Sequence, residues 1–436
     1  MDIFKSGELP ITISNFTISN VKLRLVLKGI VDKLPIVSGF QVFLLEEPLF
    51  EWNYESGVAK LAELPIIEDK IRSSIRTIVQ DFVYPNRISK VINLPPDIQK
   101  LLQDMCFETL TPSSHEVFSG PPQGVIKVTV VKAKGIKATE MTYDHMKNNA
   151  NLNPLHPNKF AVSELLPKKG TSSAYCRVGI GNSMKKSETA KRTRNPEWNF
   201  EALFPIEYHQ GQKIKIWICD KNTSSSGEDK NLDKTCLGRC YEEMDSVWEA
   251  THEKGHNGIL ENWYNLQSGE GKVLVRFQFL PLTKNIPRQL QGIAKTTGVL
   301  SLFLGTMTTE YDCMPECYIS LDETDQGEQA SQNKGLEEEQ SHRVRSSKMA
   351  GEHRFNDKKY FVIQNVHSIW TSLKIKVWDK NIKDYIGELD LKIKAISGQS
   401  KEISYTMKNS YNTLKPPKVN IRHTIYSLED PSSWIF

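Results

Sequence analysis

The sequence predicts a mostly β chain: two antiparallel β-sandwiches preceded by a smaller α+β section. Three observations predict it. Between residues 124 and 282, short alternating or apolar runs recur with turn residues between them, the pattern of a sandwich. From 298 to 393 the pattern repeats. Ahead of both, residues 1–108 combine strand-period runs with one helical run.

In that first section Ile11, Ile13, Phe16, Ile18, Val21, Leu23, Leu25 and Leu27 alternate, with the phase shifting near Asn15 and Asn20. Phe40, Val42, Phe43, Leu44 and Leu45 form a strand apolar on both faces, so both faces need cover. Protein on one side and a lipid on the other would supply it. Ile71, Ile75, Ile78, Val79 and Phe82 follow helical spacing, and Pro85 ends the helix.

The second section, 119–283, opens with the strand 124–136, where Ile126, Val128 and Val130 alternate with Val125, Lys127 and Thr129. Residues 137–172, with three prolines, read as a long loop. Strand signals return at 173–181, 198–204, 213–220, 236–240, 261–266 and 271–282. Residues 284–296 read as a linker. The third section, 297–400, places strands at 298–305, 317–322, 358–363, 373–381 and 385–393. Its insert 322–339 carries seven acids against Lys334, a disordered-loop composition. The tail, 401–436, shows no clear pattern beyond Pro416-Pro417.

The net charge of +4 over 436 residues is too small for a wholesale nucleic-acid binder. No run reaches the roughly 20 apolar residues of a membrane-spanning helix, and Met1–Pro10 lacks a signal-peptide pattern. Seven scattered cysteines read as reduced thiols. Asn15-Phe16-Thr17 fits a glycosylation sequon without a secretory signal to expose it. Nucleophile-elbow, zincin, P-loop and kinase motifs are absent, and no section is left to house an active site, so the expectation is a non-enzyme.

The stretch from Gly39 to Pro95, through Glu47-Pro48-Leu49 and Tyr84-Pro85-Asn86-Arg87-Ile88, resembles the C-terminal half of the SMP lipid-binding domain of extended synaptotagmins and tricalbins, a TULIP-like α+β fold. Family modules are larger and follow a membrane-anchoring hairpin, so the expectation is a truncated product or gene model, with a variant that has lost those parts as the alternative. The second section resembles a C2 domain through Asn195-Pro196-Glu197-Trp198-Asn199, Asp220-Lys221-Asn222 with Leu237-Gly238-Arg239, and Trp263-Tyr264-Asn265-Leu266. The third resembles a second, divergent C2 domain.

Candidate sites follow from both readings. Lys185, Lys186, Lys191, Arg192 and Arg194 against Glu188 give residues 183–194 a local net charge of +4. On a C2 domain such a strand faces anionic lipid; otherwise it is a solvated edge that blocks strand pairing. Arg343, Arg345, Lys348, Arg354, Lys358 and Lys359 form a second basic stretch, which docks on lipid or neutralises the acidic insert. Calcium needs six to eight oxygens, many from carboxylates. In the first C2-like section Asp220 remains, but Ser173 and Asn222 stand where the resemblance implies acids, with Asp229 and Asp233 as substitutes from the loop. In the second, Asp379, Asn381 and Asp384, with Glu316 near the first loop, are the candidate ligands; without them the domain is calcium-independent. Cys236-x3-Cys240 with His252-x3-His256 mimics zinc-finger spacing, but Cys236 opens a strand, so no zinc site is assigned, and no other cofactor is expected.

The resemblance implies glycerolipid binding or transfer at contacts between the endoplasmic reticulum and plasma membrane. Phe40, Val42, Phe43, Leu44 and Leu45 would line the groove, the C2 domains would dock on anionic membranes, and the module would pair as a homodimer. The rival expectation is a C2 adaptor that transfers nothing. Nucleic acid is not an expected partner.

Overall fold

The structure is a computed structural model of the chain. It describes residues 12–55, 65–109, 117–118, 121–138, 172–221, 236–253, 258–283, 298–310, 312–322, 341–349, 352–363, 371–393, 402–409 and 415–428. Residues 139–171 of the expected loop 137–172, residues 323–339 of the insert 322–339, the linker 284–296 and residues 222–235 lie outside them. Two compact units divide between Gly120 and Pro121.

The first unit runs β1 (Thr12–Ser19), β2 (Leu23–Ile30), β3 (Val37–Leu44), β4 (Leu49–Glu55), α1 (Pro65–Gln80), β5 (Ile88–Val91) and α2 (Pro96–Asp104). β1 pairs with β4, and β2–β3–β5 form a second antiparallel sheet. Both phase shifts in the sequence are physical. The β1–β4 register slips between Ser14 and Thr17, and Asn20 takes a positive φ of 55° between β1 and β2, a conformation asparagine tolerates. Helix α1 carries Ile71, Ile75, Ile78 and Val79 of the expected run but ends at Gln80, before Phe82 and Pro85, and Arg76 ties it to Glu47 at 2.7 Å.

The second unit begins with a sandwich of β6 (Gly124–Lys134), β7 (Ala174–Ile180), β8 (Ser183–Lys186), β9 (Glu197–Ile206), β10 (Lys213–Asp220), β11 (Cys236–Glu243), the short helix α3 (Met244–Trp248), β12 (Ile259–Asn265) and β13 (Lys272–Leu280). Its sheets are β11–β10–β7–β8 and β12–β13–β6–β9. Ile126, Val128 and Val130 point inward and are fully buried with Val178, Ile216 and Phe277, as the alternation predicts. Val125, on the opposite face, is also fully buried, because it packs with Leu280, Val299 and Tyr360.

A second sandwich follows from the short strand β14 (Leu282–Thr283): β15 (Gly298–Thr308), β16 (Pro315–Asp322), β17 (Ser341–Arg345), β18 (Ser347–Met349), β19 (Glu352–Ile363), β20 (Thr371–Asp379), β21 (Asp384–Ile393), β22 (Ile403–Thr406), β23 (Lys408–Asn409) and β24 (Lys418–Leu428). One sheet runs β14–β24–β15–β19–β18, with β22 also on β24, and the other β17–β16–β20–β21–β23.

Two boundaries need correction. The tail 401–436 is not patternless: β24 is an inner strand paired with β15 from Gly298↔Ser427 to Thr308↔Lys418. Val419, Ile421 and Ile425 are at most 3% exposed within the core. Its alternation with Asn420, Arg422 and Thr424 is strand period, masked by the charged and polar members. The basic strand at 183–194 is also shorter than expected. Only Ser183–Lys186 is strand; Lys191, Arg192 and Arg194 sit on the β8–β9 loop, where Arg192 has a positive φ of 49°.

Candidate functional site

In the first unit the sheet β2–β3–β5 has two unlike faces. In register, Leu23 lies opposite Leu44, Leu25 opposite Val42, Leu27 opposite Phe40, and Val42 opposite Ile88. Alternation therefore puts these seven apolar residues on one face. Leu23, Leu25, Leu27 and Ile88 are 46–61% exposed. The other face is covered: Phe43 is 1% exposed and packs on Tyr84 with ring centroids 5.6 Å apart. Gln41 is buried beside it and donates to Ser89 Oγ at 3.1 Å. A Cβ on Gly39 would sit 2.7 Å from Val117 and 3.2 Å from Phe118, so only glycine lets residues 117–118 close this face. Of the expected groove residues, Phe40, Val42 and Leu44 share the open face. Phe43 is a correction, because strand parity turns it into the covered side. Leu45 lies past the strand end, its N–H bonded to the Lys22 carbonyl.

On the first sandwich the sheet β11–β10–β7–β8 sets cations on aromatic rings. Lys186 Nζ lies 4.3 Å and the Arg177 guanidinium 5.7 Å from the Tyr175 ring centre, and Lys213 Nζ 4.5 Å from that of Tyr241. Lys191 and Arg192 are exposed on the adjoining loop, which Ala190 fastens to Ala174. Arg194 is not part of that surface. It bonds the Ile136 carbonyl at 3.0 Å and pairs with Glu270 at 3.5 Å, bracing the loop end. Tyr175 and Arg177 share β7 and are only 2% and 4% exposed, so that pair is packed inside the protein, whereas Lys213 and Tyr241 come from neighbouring strands β10 and β11, a pairing that local spacing does not show.

The second sandwich repeats the arrangement. Arg343 lies over Tyr318 at 5.8 Å and Lys376 over Tyr385 at 5.5 Å, and Trp378 meets Tyr385 edge-on at 5.0 Å. At its centre Glu316, 2% exposed, accepts from Arg343 at 2.6 Å and pairs with Arg345 at 3.2 Å and Lys380 at 2.5 Å. Burial works to raise its pKa, but the Lys380 and Arg343 hydrogen bonds outweigh it and hold the carboxyl below the usual carboxylate range. From the second basic stretch, Arg343 and Arg345 belong here. Lys358 and Lys359 are a correction: they are 3% and 2% exposed and cannot face a membrane.

Of the candidate calcium ligands, Asp379 and Asp384 lie directly opposite each other in the β20–β21 register. Asp379 Oδ1 accepts from the N–H groups of Met314 and Asn381, both at 2.9 Å, and Asp384 Oδ1 from the N–H of Tyr385 at 2.7 Å. Glu316 is engaged by three cations, so it is no calcium ligand, a correction its sequence position concealed. In the first sandwich Asp220 is fully buried at the end of β10, and Lys221 N–H bonds the Ser173 carbonyl at 2.9 Å. Asn222, Asp229 and Asp233 lie outside the described residues. Among the described residues no three His, Cys, Asp or Glu side chains converge on one point. Cys236 and Cys240 both lie in β11, and burial pushes the Cys240 thiol up to about 12.

Both sandwiches are pairs of antiparallel sheets, and the C2 domain family model matches residues 124–266 and 334–407. Among curated proteins, extended synaptotagmin-1 of Rattus norvegicus is 25% identical over 280 residues, covering 64% of this chain and 21% of its own length. Extended synaptotagmin-2-B of Xenopus laevis is 25% identical over 278 residues, covering 62% and 26%. A solved structure of extended synaptotagmin 2, holding its SMP domain and two C2 domains, aligns at 19% identity and TM-score 0.45, covering 93% of this chain and 76% of that one. The chain is extended-synaptotagmin-like and carries C2 domains. The matches span about a fifth to a quarter of these curated relatives.

Proposed function

We propose that this chain is a membrane-associated, lipid-binding C2 protein that tethers membranes and shields glycerolipid acyl chains, without enzymatic chemistry. The observation that carries this reading is the open face of β2–β3–β5, where Leu23, Leu25, Leu27, Phe40, Val42, Leu44 and Ile88 align. An acyl chain laid on such a face leaves water at about 0.8 kcal/mol per CH₂. A second copy of the unit could instead cover it, as an SMP-type homodimer would. Lys191 and Arg192 on the exposed β8–β9 loop of the first C2 domain, and Lys376 over Tyr385 in the second, supply docking on anionic membranes, at about 1 kcal/mol per basic residue near the surface. By relationship to extended synaptotagmins, the site of action is the contact between endoplasmic reticulum and plasma membrane. The rival reading, an adaptor that transfers nothing, is favoured by the docking faces, which are built without the first unit.

Mass spectrometry of organic extracts from the purified chain tests this. Glycerolipid should co-purify with the wild type and be lost from Leu25→Glu and Val42→Glu, while both variants still float with phosphatidylserine vesicles. Vesicle binding without any co-purifying lipid would leave the adaptor reading.

A further inference from the structure

The outward face of the sheet β12–β13–β6–β9 carries a row of cations, and most have an acid across the strand. Lys127 pairs with Glu201 at 2.5 Å, Lys132 with Glu197 at 3.5 Å and Arg276 with Glu261 at 2.6 Å. The row ends differently. Lys134 and Lys272 are directly opposite each other in register, a like-charge placement that is unfavourable by itself. Instead of a carboxylate, each places its ammonium 5.1 Å from the ring centre of Trp263, which is 38% exposed. The nearby Glu270 is engaged by Arg194.

The backbone sets the position of this cluster. Gly271, at φ +92°, comes so close to β6 that a Cβ there would strike the Lys134 carbonyl and Gly135. Residue 267 exchanges both backbone hydrogen bonds with Arg239, at 3.0 and 2.7 Å. The cluster therefore sits at the sandwich end where β6 and β10 finish and β7, β9 and β11 begin. Two uncompensated ammonium groups on a half-exposed indole match an anionic bilayer surface: the lysines meet headgroup phosphates and the indole settles at the interface, where tryptophan is enriched.

We infer that Trp263, Lys134 and Lys272 form a membrane contact of the first C2 domain, on the sheet opposite the Tyr175–Lys186 face, with the anionic bilayer as its ligand. This rests on the proposed docking of the C2 domains on anionic membranes. The basic β8–β9 loop and this cluster then engage one surface from two sides of the same sandwich end.

The full chain and its variants are tested on vesicles of phosphatidylcholine with phosphatidylserine, alone and with brominated phosphatidylcholine. Lys134→Gln with Lys272→Gln should lower vesicle partition about 25-fold, roughly fivefold per lysine. The acid-paired control, Lys127→Gln with Lys132→Gln, should lose much less. Bromine should quench part of the wild-type tryptophan emission, and Trp263→Phe should remove that part. Unchanged partition of the first double variant, an equal loss in the control, or unchanged quenching in Trp263→Phe overturns the inference while leaving docking intact. A wild type that does not bind these vesicles at all overturns the docking reading, and this contact with it.

Discussion

Glu316 shows how one side chain decides between two chemistries. The resemblance to a C2 domain makes it a candidate cation ligand, yet its carboxylate is filled by Arg343, Arg345 and Lys380. Replacing it with Gln leaves three cations around a neutral, buried group. Hydrogen bonds to charged partners contribute about 1.5–3 kcal/mol each, and the partly exposed arginines lie at the weaker end. Glu316→Gln should therefore destabilise the second sandwich by about 1–3 kcal/mol in denaturant titration. The folded pKa of Glu316 is depressed from 4.5. Its contribution is therefore complete above about 4.5 and is lost as pH falls through the lower folded value. Thermal unfolding of wild type and Glu316→Gln should differ at pH 7 and converge in acid; a difference that persists at pH 2–3 would count against the ion-paired carboxylate. Cysteine reactivity is set in the same way. Cys176 is buried and burial pushes its thiol up to about 12, whereas Cys106 is exposed. Alkylation of the native protein followed by peptide mapping should label Cys106 and leave Cys176 unmodified until unfolding.

At the level of elements, β24 is the clearest case. It buries Val419, Ile421, Ile425 and Tyr426 between β15 and β22. Each such side chain contributes about 1.5–3 kcal/mol on burial, so losing four removes an amount comparable with the whole stability of a domain. A chain ending at residue 401 should lack the cooperative unfolding transition of the second sandwich, and one ending at 428 should keep it, as read by near-ultraviolet circular dichroism. Retention of that transition in the shorter chain would show that β24 is dispensable. The alternation Val419, Ile421, His423, Ile425 was legible as period two. Its polar half, together with Pro416-Pro417, hid it, because one face of this strand carries Asn420 and Arg422 toward solvent.

At the scale of the second unit, the two sandwiches share structure. Leu282 pairs with Leu428 and Thr283 with Ser427, and Val125, Leu280, Val299 and Tyr360 form one buried cluster. The two C2 domains should consequently unfold in a single calorimetric transition. Tyr360→Asp, which places a charge in that cluster, should split it into two; two separate transitions in the wild type would mean the shared strand and cluster do not couple them.

The sequence by itself did not show the helix Pro96–Asp104, but it determined the period-two runs, the amphipathic helix around Ile71–Val79, the two-sandwich order and the motifs around Trp198 and Trp263. All of these depend on residues close together in the chain, where spacing is the physical signal. Only the tertiary structure decided which face each residue meets. Parity from Gly39 turned Phe43 inward and Phe40 outward, neighbouring strands brought three cations to Glu316, and a turn at Gly271 set two lysines against Trp263. Those outcomes depend on strand register between residues tens to more than a hundred positions apart, and local spacing carries no record of it.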